Sequence, residues 1–320
     1  MVEAAPVSIG QAGKPSEASI FASPLFLGSA PLIFVVIWST GFIGAKYGLP
    51  YAGPFIYLAL RMVLACALMI ALARFTGGAW PRSLMEARHY AISGLLLHAG
   101  YLGGVFFAIS RGMSAGLSAL VVGLQPILVA VIAQRTLGER VTIRQWGGLI
   151  LGFAGVGIVV FERMRSNGGL HGSTTLAADI AIVVALLSTT LGTIYQKRFG
   201  NQMPLASGTA IQYGTTAIVM IVLALLFEPL TIDWSPRFVA ALAWQVLVLS
   251  LLAVTLLMVL IRQHSVSRLT SYLYLVPPLT AIEAYLIFGE KITLAMVLGV
   301  AVVAAGVVMV VRAPLRNASA

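Results

Sequence analysis

Charged residues are scarce in this sequence: 9% of its 320 residues are Asp, Glu, Lys or Arg, whereas 59% are hydrophobic. Soluble domains carry about 25% charged residues, so the composition excludes an ordinary soluble protein. Cysteine is nearly absent, because Cys66 is the only one. A single cysteine inside an apolar run excludes a disulfide framework and a cysteine-based metal site.

The net charge of +10 is of the size found in nucleic-acid-binding proteins. The basic residues nevertheless lie in loops and at the ends of apolar runs, which is typical of a signal for membrane topology. No phosphate-binding loop of the form GxxxxGK[ST] occurs, which excludes ATP drive through such a loop in this chain. We therefore expect a lipid bilayer as a partner, no nucleic acid, no cofactor and no metal.

Long apolar runs dominate the chain, and a helix needs about 20 apolar residues to cross a bilayer. Ten such runs occur, at 29–49, 54–75, 89–110, 114–135, 143–162, 175–196, 206–228, 237–261, 265–287 and 292–312. Lipid offers no partner for unpaired backbone groups, so these runs are predicted to be helices. The alternating strands of a membrane barrel are not seen. The sequence therefore predicts an all-α membrane protein with ten transmembrane helices.

An internal duplication becomes visible when the sequence is shifted by 151 residues. Between residues 111 and 157, 14 of 47 positions are then identical without a gap, among them Pro126 with Pro277. Apolar composition alone would give roughly half as many identities, so the chain is predicted to contain two repeats.

Each repeat holds five predicted helices, an odd number, so the second repeat must enter the membrane upside down relative to the first. With both termini in the cytoplasm, 13 Lys and Arg residues lie on the inside and 6 on the outside, as the positive-inside rule favours. Inverted repeats are typical of secondary transporters. The predicted parts are a disordered tail (1–28), the first repeat (29–162), an outer linker (163–174), the second repeat (175–312) and a second tail (313–320).

Several motifs resemble those of EamA-type transporters of the drug/metabolite transporter superfamily. The resemblance rests on the series Trp38, Lys46, Pro54 and Arg61, on SAGLSAL…QP…LGERVTIRQWGGLILGFAGV, and on its echo FGEKIT…GVAVVAAGVV. It covers residues 30–312 and implies ten helices in two inverted five-helix repeats. It also implies a central substrate cavity, lined mainly by helices other than the fifth and tenth, and transport of amino acids or other small metabolites.

The prediction of a substrate site starts from positions at which the two repeats differ, because recognition need not be symmetric. Several mismatches lie near Pro126 and Pro277, which are predicted to kink their helices near mid-membrane. The candidate substrate-binding residues are Trp38, Phe42, His98, Tyr101, Gln125, Tyr272 and Tyr274. Aromatic rings would offer apolar area and cation–π contact to an ammonium group, and an amide would fix orientation.

These candidates also have purely structural interpretations. Trp38 would serve equally in helix packing, and His98 in a hydrogen bond to a neighbouring helix instead of carrying a proton. Gln125 would bind a carbonyl group freed by the proline. Tyr272 and Tyr274 are two residues apart on one helix, so at least one of them is expected to pack.

Three charged residues are candidates for gating or coupling: Lys46, Arg61 and Glu283. A charge within the bilayer costs about 2.5–3.5 kcal/mol on insertion scales, so such residues are usually functional. The alternatives are an ion pair between Arg61 and Glu283, and extension of Lys46 and Lys197 towards the interface. Proton coupling would require Glu283 or His98 to titrate.

Two short patterns predict local structure. Thr142 and Gln145 have capping-box spacing. Gly148 and Gly152 have GxxxG spacing, and Gly299 and Gly306 lie in the repeat-related helix, which predicts close helix contacts. We favour contacts within the bundle over a dimer face, and both a monomer and a homodimer stay open.

The sequence thus favours a multi-pass carrier of a bacterial inner membrane that exports amino acids or related zwitterions by alternating access. Broad efflux of cationic or aromatic drugs is the alternative within transporters. A non-transporting membrane sensor would not need inverted repeats. An intramembrane enzyme would need clustered catalytic groups, which four scattered His and one Cys do not supply, so we expect no enzymatic activity and no catalytic residue.

Overall fold

The computed structural model describes residues 24–111, 113, 118, 121–137, 141–166, 176–263, 269, 271–288 and 294–312. Most of the predicted first tail, most of the outer linker and the whole second tail lie outside the described residues. The same is true of most of the two repeat-related polar turns, at 138–140 and 289–293.

The described part of the chain is helical, with one isolated bridge between Ala52 and Ile232 and no longer strand pairing. Its helices are α1 (Pro24–Gly48), α2 (Pro54–Phe75), α3 (Leu84–Ser110), α4 (Gln125–Thr136), α5 (Ile143–Ser166), α6 (Leu176–Phe199), α7 (Leu205–Phe227), α8 (Pro236–Arg262), α9 (Val276–Phe288) and α10 (Leu294–Val311). A 3-10 turn, Tyr272–Leu275, leads into α9. The all-α prediction is confirmed.

Five of these helices, α2, α3, α6, α7 and α8, are long and apolar enough to cross a membrane. Many large apolar side chains remain exposed, for example Leu226 at 68% and Ile218 at 65%. Such exposure is unfavourable in water and not in lipid. The protein is therefore a membrane protein.

Helices α2 and α7, which the 151-residue shift relates, pack against each other in opposite directions. At one end, the carboxylate of Glu228, just after α7, accepts hydrogen bonds from the N–H groups of Phe55 (2.8 Å) and Ile56 (2.9 Å) in the first turn of α2. At the other end, the hydroxyl of Ser207 in α7 donates to the carbonyl of Ala79, beyond α2. The start of each helix thus meets the end of the other.

Helices α5 and α10 form a second antiparallel, repeat-related pair, and their backbones touch at glycines. A Cβ atom added to Gly148 would lie 2.6 Å from the carbonyl oxygen of Gly306, and one added to Gly155 would lie 2.8 Å from that of Gly299. No side chain fits at these positions. The prediction that the glycines serve contacts within the bundle is confirmed.

Stretches of π-helix occur at related positions in the two halves. They span Leu95–Gly100 within α3 and Gln245–Ala253 within α8, and the 151-residue shift moves the first onto 246–251. In the first stretch the N–H of Tyr101 reaches the carbonyl of Leu96, five residues back. Such turns are frequent at functional sites, and both stretches contribute residues to the cavities described below.

The two proline-containing helices differ from their prediction. Continuous helices were expected over 114–135 and 265–287 with a proline near the centre, but α4 and α9 begin one residue before Pro126 and Pro277. A proline in the first turn has no helical hydrogen bond to lose. Helical residues also precede both prolines, at 121–122 and in the 3-10 turn Tyr272–Leu275, so the helical geometry changes just ahead of each proline. The kinks at Pro126 and Pro277 stay a prediction.

Two other boundaries also differ from the prediction. Helix α1 begins at Pro24, inside the predicted tail of 1–28, because proline is well tolerated at the first position of a helix. Helix α5 continues to Ser166 and so includes the start of the predicted linker of 163–174.

Thr142 and Gln145 form the predicted capping box. The Oε1 atom of Gln145 accepts from the N–H of Thr142 at 2.8 Å, and the Oγ1 atom of Thr142 accepts from the N–H of Gln145 at 3.3 Å. Two N–H groups at the start of α5 are thereby satisfied.

Candidate functional site

A cavity lies between helices from both halves of the chain. Together with its open mouth it comprises about 870 Å³ of empty space. Its lining residues are Phe34, Trp38, Leu97, His98, Tyr101, Val122, Gly123, Gln125, Pro126, Thr189, Thr193, Leu257, Leu269, Leu273, Tyr274 and Val276. They come from α1, α3, α4, α6, α8, the first residue of α9 and the segments that lead into α4 and α9. We call this the main cavity.

Polar side chains in the main cavity are only partly satisfied by the protein. His98 is 2% exposed and Tyr274 is 1% exposed, yet Nε2 of the imidazole and the tyrosine hydroxyl have no hydrogen-bond partner among the described residues. Gln125 donates from Nε2 to Oγ1 of Thr193 at 3.2 Å and so joins α4 to α6. Unpartnered buried polar atoms are costly, so Nε2 of His98 and the hydroxyl of Tyr274 distinguish the main cavity from ordinary apolar packing.

Aromatic rings form much of the remaining wall. Trp38 packs on Phe34 with ring centroids 5.1 Å apart, because residues four apart share one face of α1. The His98 ring lies 5.0 Å from that of Tyr213, and Tyr101 follows His98 by three residues in α3. These rings offer apolar area and faces that attract a cation.

A second, smaller cavity shares Trp38 and Tyr101 with the first and comprises, with its open mouth, about 450 Å³ of empty space. Arg61 of α2 and Gln245 of α8 are the charged and amide residues of its lining. Arg61 is 5% exposed, and its Nε atom donates to Oγ of Ser250 at 2.8 Å. We call this the Arg61 cavity.

Five of the seven predicted substrate-binding residues line the main cavity together. They are Trp38, His98, Tyr101, Gln125 and Tyr274. Tyr272 packs against the apolar core, which agrees with the expectation that one of the two neighbouring tyrosines would pack. Phe42 lies in α1, but its side chain is outside the described part of the structure.

The three charged candidates lie in different places. Lys46 is near the end of α1, and its side chain is not among those described. Glu283 of α9 accepts a hydrogen bond from the hydroxyl of Ser39 in α1, while its Oε2 atom is buried without a partner among the described residues. Arg61 binds Ser250 instead, because α2 packs on α7 and α9 packs on α1. The ion pair considered between Arg61 and Glu283 does not form here.

Lys197 does not simply extend towards the membrane surface. Its side chain is half-buried, and Nζ donates to the carbonyl oxygens of Ile261 (2.5 Å) and Arg262 (3.3 Å) at the end of α8. Lysine commonly satisfies the last carbonyl groups of a helix in this way.

Sequence reasoning missed several residues of the two cavities. Thr193 and Thr189 line the main cavity, and a run of threonines in one apolar helix was the available signal. Gln245 and Ser250 reach the Arg61 cavity from the π-helical stretch of α8, for which hydropathy gives no signal.

Comparison with known proteins identifies the family. A model of the EamA-like transporter family matches residues 25–161 and again residues 176–312, so the two matches are offset by the same 151 residues as the internal repeat. The chain belongs to the EamA-like transporter family. The resemblance to EamA-type transporters, which rested on the paired turn motifs, is thereby confirmed. The membrane-embedded cavity is that of an EamA-like transporter.

Relatives of this EamA-like transporter carry transporter names. The uncharacterized transporter YvbV of Bacillus subtilis is 24% identical over 86% of this chain and 88% of its own length. The uncharacterized inner membrane transporter YedA of Escherichia coli is 27% identical over 90% of each chain. A protein of Salmonella typhimurium named "Probable amino-acid metabolite efflux pump" is 25% identical over 87% of this chain and 92% of its own.

The fold of the EamA-like transporter also has a match among solved structures. One crystal structure aligns with 90% of this chain and 96% of its own with a TM-score of 0.76 at 19% identity. At that identity the likeness concerns the fold alone.

Proposed function

We propose that this EamA-like transporter is a secondary carrier that exports small metabolites, chiefly amino acids or related zwitterions, by alternating access. The main cavity carries the proposal, because Nε2 of His98 and the hydroxyl of Tyr274 are buried there without described partners. A solute with hydrogen-bonding groups and an apolar part would satisfy these atoms and cover the rings of Trp38 and Tyr101. Gln125 would orient it.

The scaffold of the proposed carrier is ten helices in two inverted five-helix repeats. Two family matches at one offset support it, and so do the antiparallel directions of α2 with α7 and of α5 with α10. A two-fold axis in the membrane plane produces such pairs. We place both termini in the cytoplasm of a bacterial inner membrane, where the basic loops favour them.

Lys46, Arg61 and Glu283 are the proposed gating or coupling residues. Glu283 and its partner Ser39 join α9 to α1, and these two helices come from different repeats. A contact between repeats is suited to respond when one repeat moves against the other.

Solute counterflow in proteoliposomes tests this function directly. Purified wild type would be loaded with single unlabelled amino acids and offered the labelled form outside. Gln125→Ala removes the amide that joins α4 to α6 at the main cavity. Gln134→Ala, on the same helix and away from the cavity lining, is the matched control.

We expect saturable exchange of one amino-acid class in wild type and in Gln134→Ala, and a loss of about tenfold or more in Gln125→Ala. If Gln125→Ala still exchanges the solute at the wild-type rate, the protein is a carrier but its substrate does not bind at Gln125. No exchange of any amino acid would reject amino-acid export, and no exchange of any solute would favour a non-transporting role.

Efflux of organic cations is a second candidate function, favoured by the aromatic and apolar wall around Trp38 and Phe34. Cations bind the faces of such rings. Exchange of labelled tetraphenylphosphonium, without exchange of any amino acid, would support this candidate over the first.

A further inference from the structure

We infer that the Arg61 cavity is a subsite for the carboxylate of the transported solute. The proposal rests on the proposed transport function and adds a chemical class to it: solutes that carry a free carboxylate, with α-amino acids as the best fit. The observation behind it is a buried guanidinium group that faces open space instead of a protein anion.

The charge of Arg61 has no acidic partner among the described residues. Its recorded hydrogen bond runs from Nε to the neutral hydroxyl of Ser250, and the residue is 5% exposed while it lines the cavity. The nearby hydroxyls of Tyr57 and Tyr213 donate to the carbonyls of Gly44 (3.3 Å) and Ser250, so they do not supply negative charge. A buried unpaired cation is strongly unfavourable, and an anionic ligand would relieve that cost.

The repeat-related position holds a neutral residue. The 151-residue shift places Gln212 of α7 where Arg61 stands in α2. The amide nitrogen of Gln212 donates to Oγ of Ser93 (2.8 Å) and Oε1 of Gln196 (2.9 Å). The amide nitrogen of this neutral side chain thus has protein partners, while its Oε1 atom is buried without a described partner. The other half holds a cation beside a cavity.

Gln245 supplies the complementary group. It is fully buried, its Nε2 atom donates to the carbonyl of Gly41 at 2.9 Å, and its Oε1 atom has no partner among the described residues although the residue lines the same cavity. An acceptor beside a guanidinium fits an α-amino acid, whose ammonium group donates while its carboxylate accepts two parallel bonds from arginine.

The Arg61 cavity also lies where a solute would pass. Trp38 and Tyr101 line both cavities, so the two spaces are adjacent. Arg61 is seven residues into α2, about 10 Å from its first residue at 1.5 Å per residue. In the proposed orientation that end of α2 faces outward, so the subsite lies on the exit side of the main cavity.

The test compares probes that differ only in the carboxylate. Thermal unfolding of the full chain in detergent would be followed with benzoate and with benzamide, which is its neutral amide. Arg61→Gln removes the charge, and Arg61→Lys keeps it without the planar pair of donors. Arg111→Gln removes an exposed arginine at the end of α3 and is the matched control.

We expect benzoate to stabilise wild type and Arg111→Gln at concentrations at least about tenfold below those of benzamide. Arg61→Gln should abolish the difference, and Arg61→Lys should keep part of it. Equal effects of the two probes on wild type, or a preference for benzoate that persists in Arg61→Gln, would overturn the proposal. If Arg61→Gln does not fold, a full benzoate preference in Arg61→Lys would also overturn it.

Counterflow separates this proposal from the proposed function. For each labelled amino acid that wild type exchanges, competition by the free acid would be compared with competition by its amide. If acid and amide compete equally for exchange, the proposed transport function stands and the carboxylate subsite is rejected. A preference for benzoate in unfolding without any exchange would keep the anion site and reject transport of these solutes.

Discussion

Gln125 and Thr193 join the two repeats at the wall of the main cavity through one hydrogen bond of 3.2 Å. Thr193→Val keeps the shape of the side chain and removes the acceptor, so the buried amide loses a partner at a cost of about 1–3 kcal/mol. We predict a lower melting temperature and weaker counterflow. Thr193→Ser keeps the hydroxyl and should behave as wild type. Equal melting of Thr193→Val and wild type would contradict this prediction.

Tyr274 and Tyr213 are both buried tyrosines, yet their hydroxyls differ. That of Tyr274, a residue that lines the main cavity, is buried without a described partner, whereas that of Tyr213 donates to the carbonyl of Ser250. Tyr274→Phe should therefore leave the melting temperature unchanged or higher and raise the KM of exchange. Tyr213→Phe should lower the free energy of unfolding by about 1 kcal/mol. If Tyr274→Phe destabilises the protein without changing KM, the hydroxyl has a structural role.

The contact between α5 and α10 predicts that substitution by alanine destabilises the protein at one glycine and not at another. A Cβ atom at Gly306 would lie 2.6 Å from the backbone nitrogen of Gly152, and one at Gly157 would meet nothing within 4 Å. Gly306→Ala should lower the free energy of unfolding by about 1–3 kcal/mol. Gly157→Ala should be neutral or stabilising by up to about 1 kcal/mol, because alanine favours helix. Thermal unfolding of both variants in the same detergent checks the pair.

Glu283 is predicted to couple transport to protons through its half-buried carboxyl group. Glu283→Gln keeps an oxygen that accepts from Ser39 and removes the titratable group. Efflux driven by a proton gradient should fall by about tenfold or more, while counterflow without a gradient stays within about twofold. Asp179→Asn, an exposed acid in the first turn of α6, is the control. Gradient-driven efflux in Glu283→Gln that equals wild type would refute the coupling role.

Local sequence patterns predicted the features that depend on neighbours along one helix. The spacing of Thr142 and Gln145 predicted a capping box, and polar or aromatic residues inside apolar runs pointed to Trp38, His98 and Tyr101. Periodicity and polarity are properties of one segment, so they can be read without knowing its neighbours.

Features that join distant segments were not predictable in this way. The bonds from Phe55 and Ile56 to Glu228 span more than 170 positions, and hydropathy does not say which helix a carboxylate will meet. The Arg61 cavity likewise needs Gln245 from the other repeat. The change of helix geometry just ahead of Pro126 and Pro277 was missed because hydropathy reports composition and not backbone hydrogen bonding.

Because α3 contains a π-helical stretch, the side chains that face the main cavity depend on how many residues the helix has as well as on which residues they are. A π turn accommodates more residues than the 3.6 of an α-helical turn. Deleting one residue between Leu95 and Gly100 would leave mean hydropathy almost unchanged and allow an ordinary α-helix. Deleting Ala99, for example, would leave His98 and Tyr101 two residues apart instead of three. At about 100° per residue of α-helix, their side chains would then point to opposite sides of the helix and no longer face the same space. A length variant at this point would be a functional variant, although Ala99 itself lines neither of the two cavities.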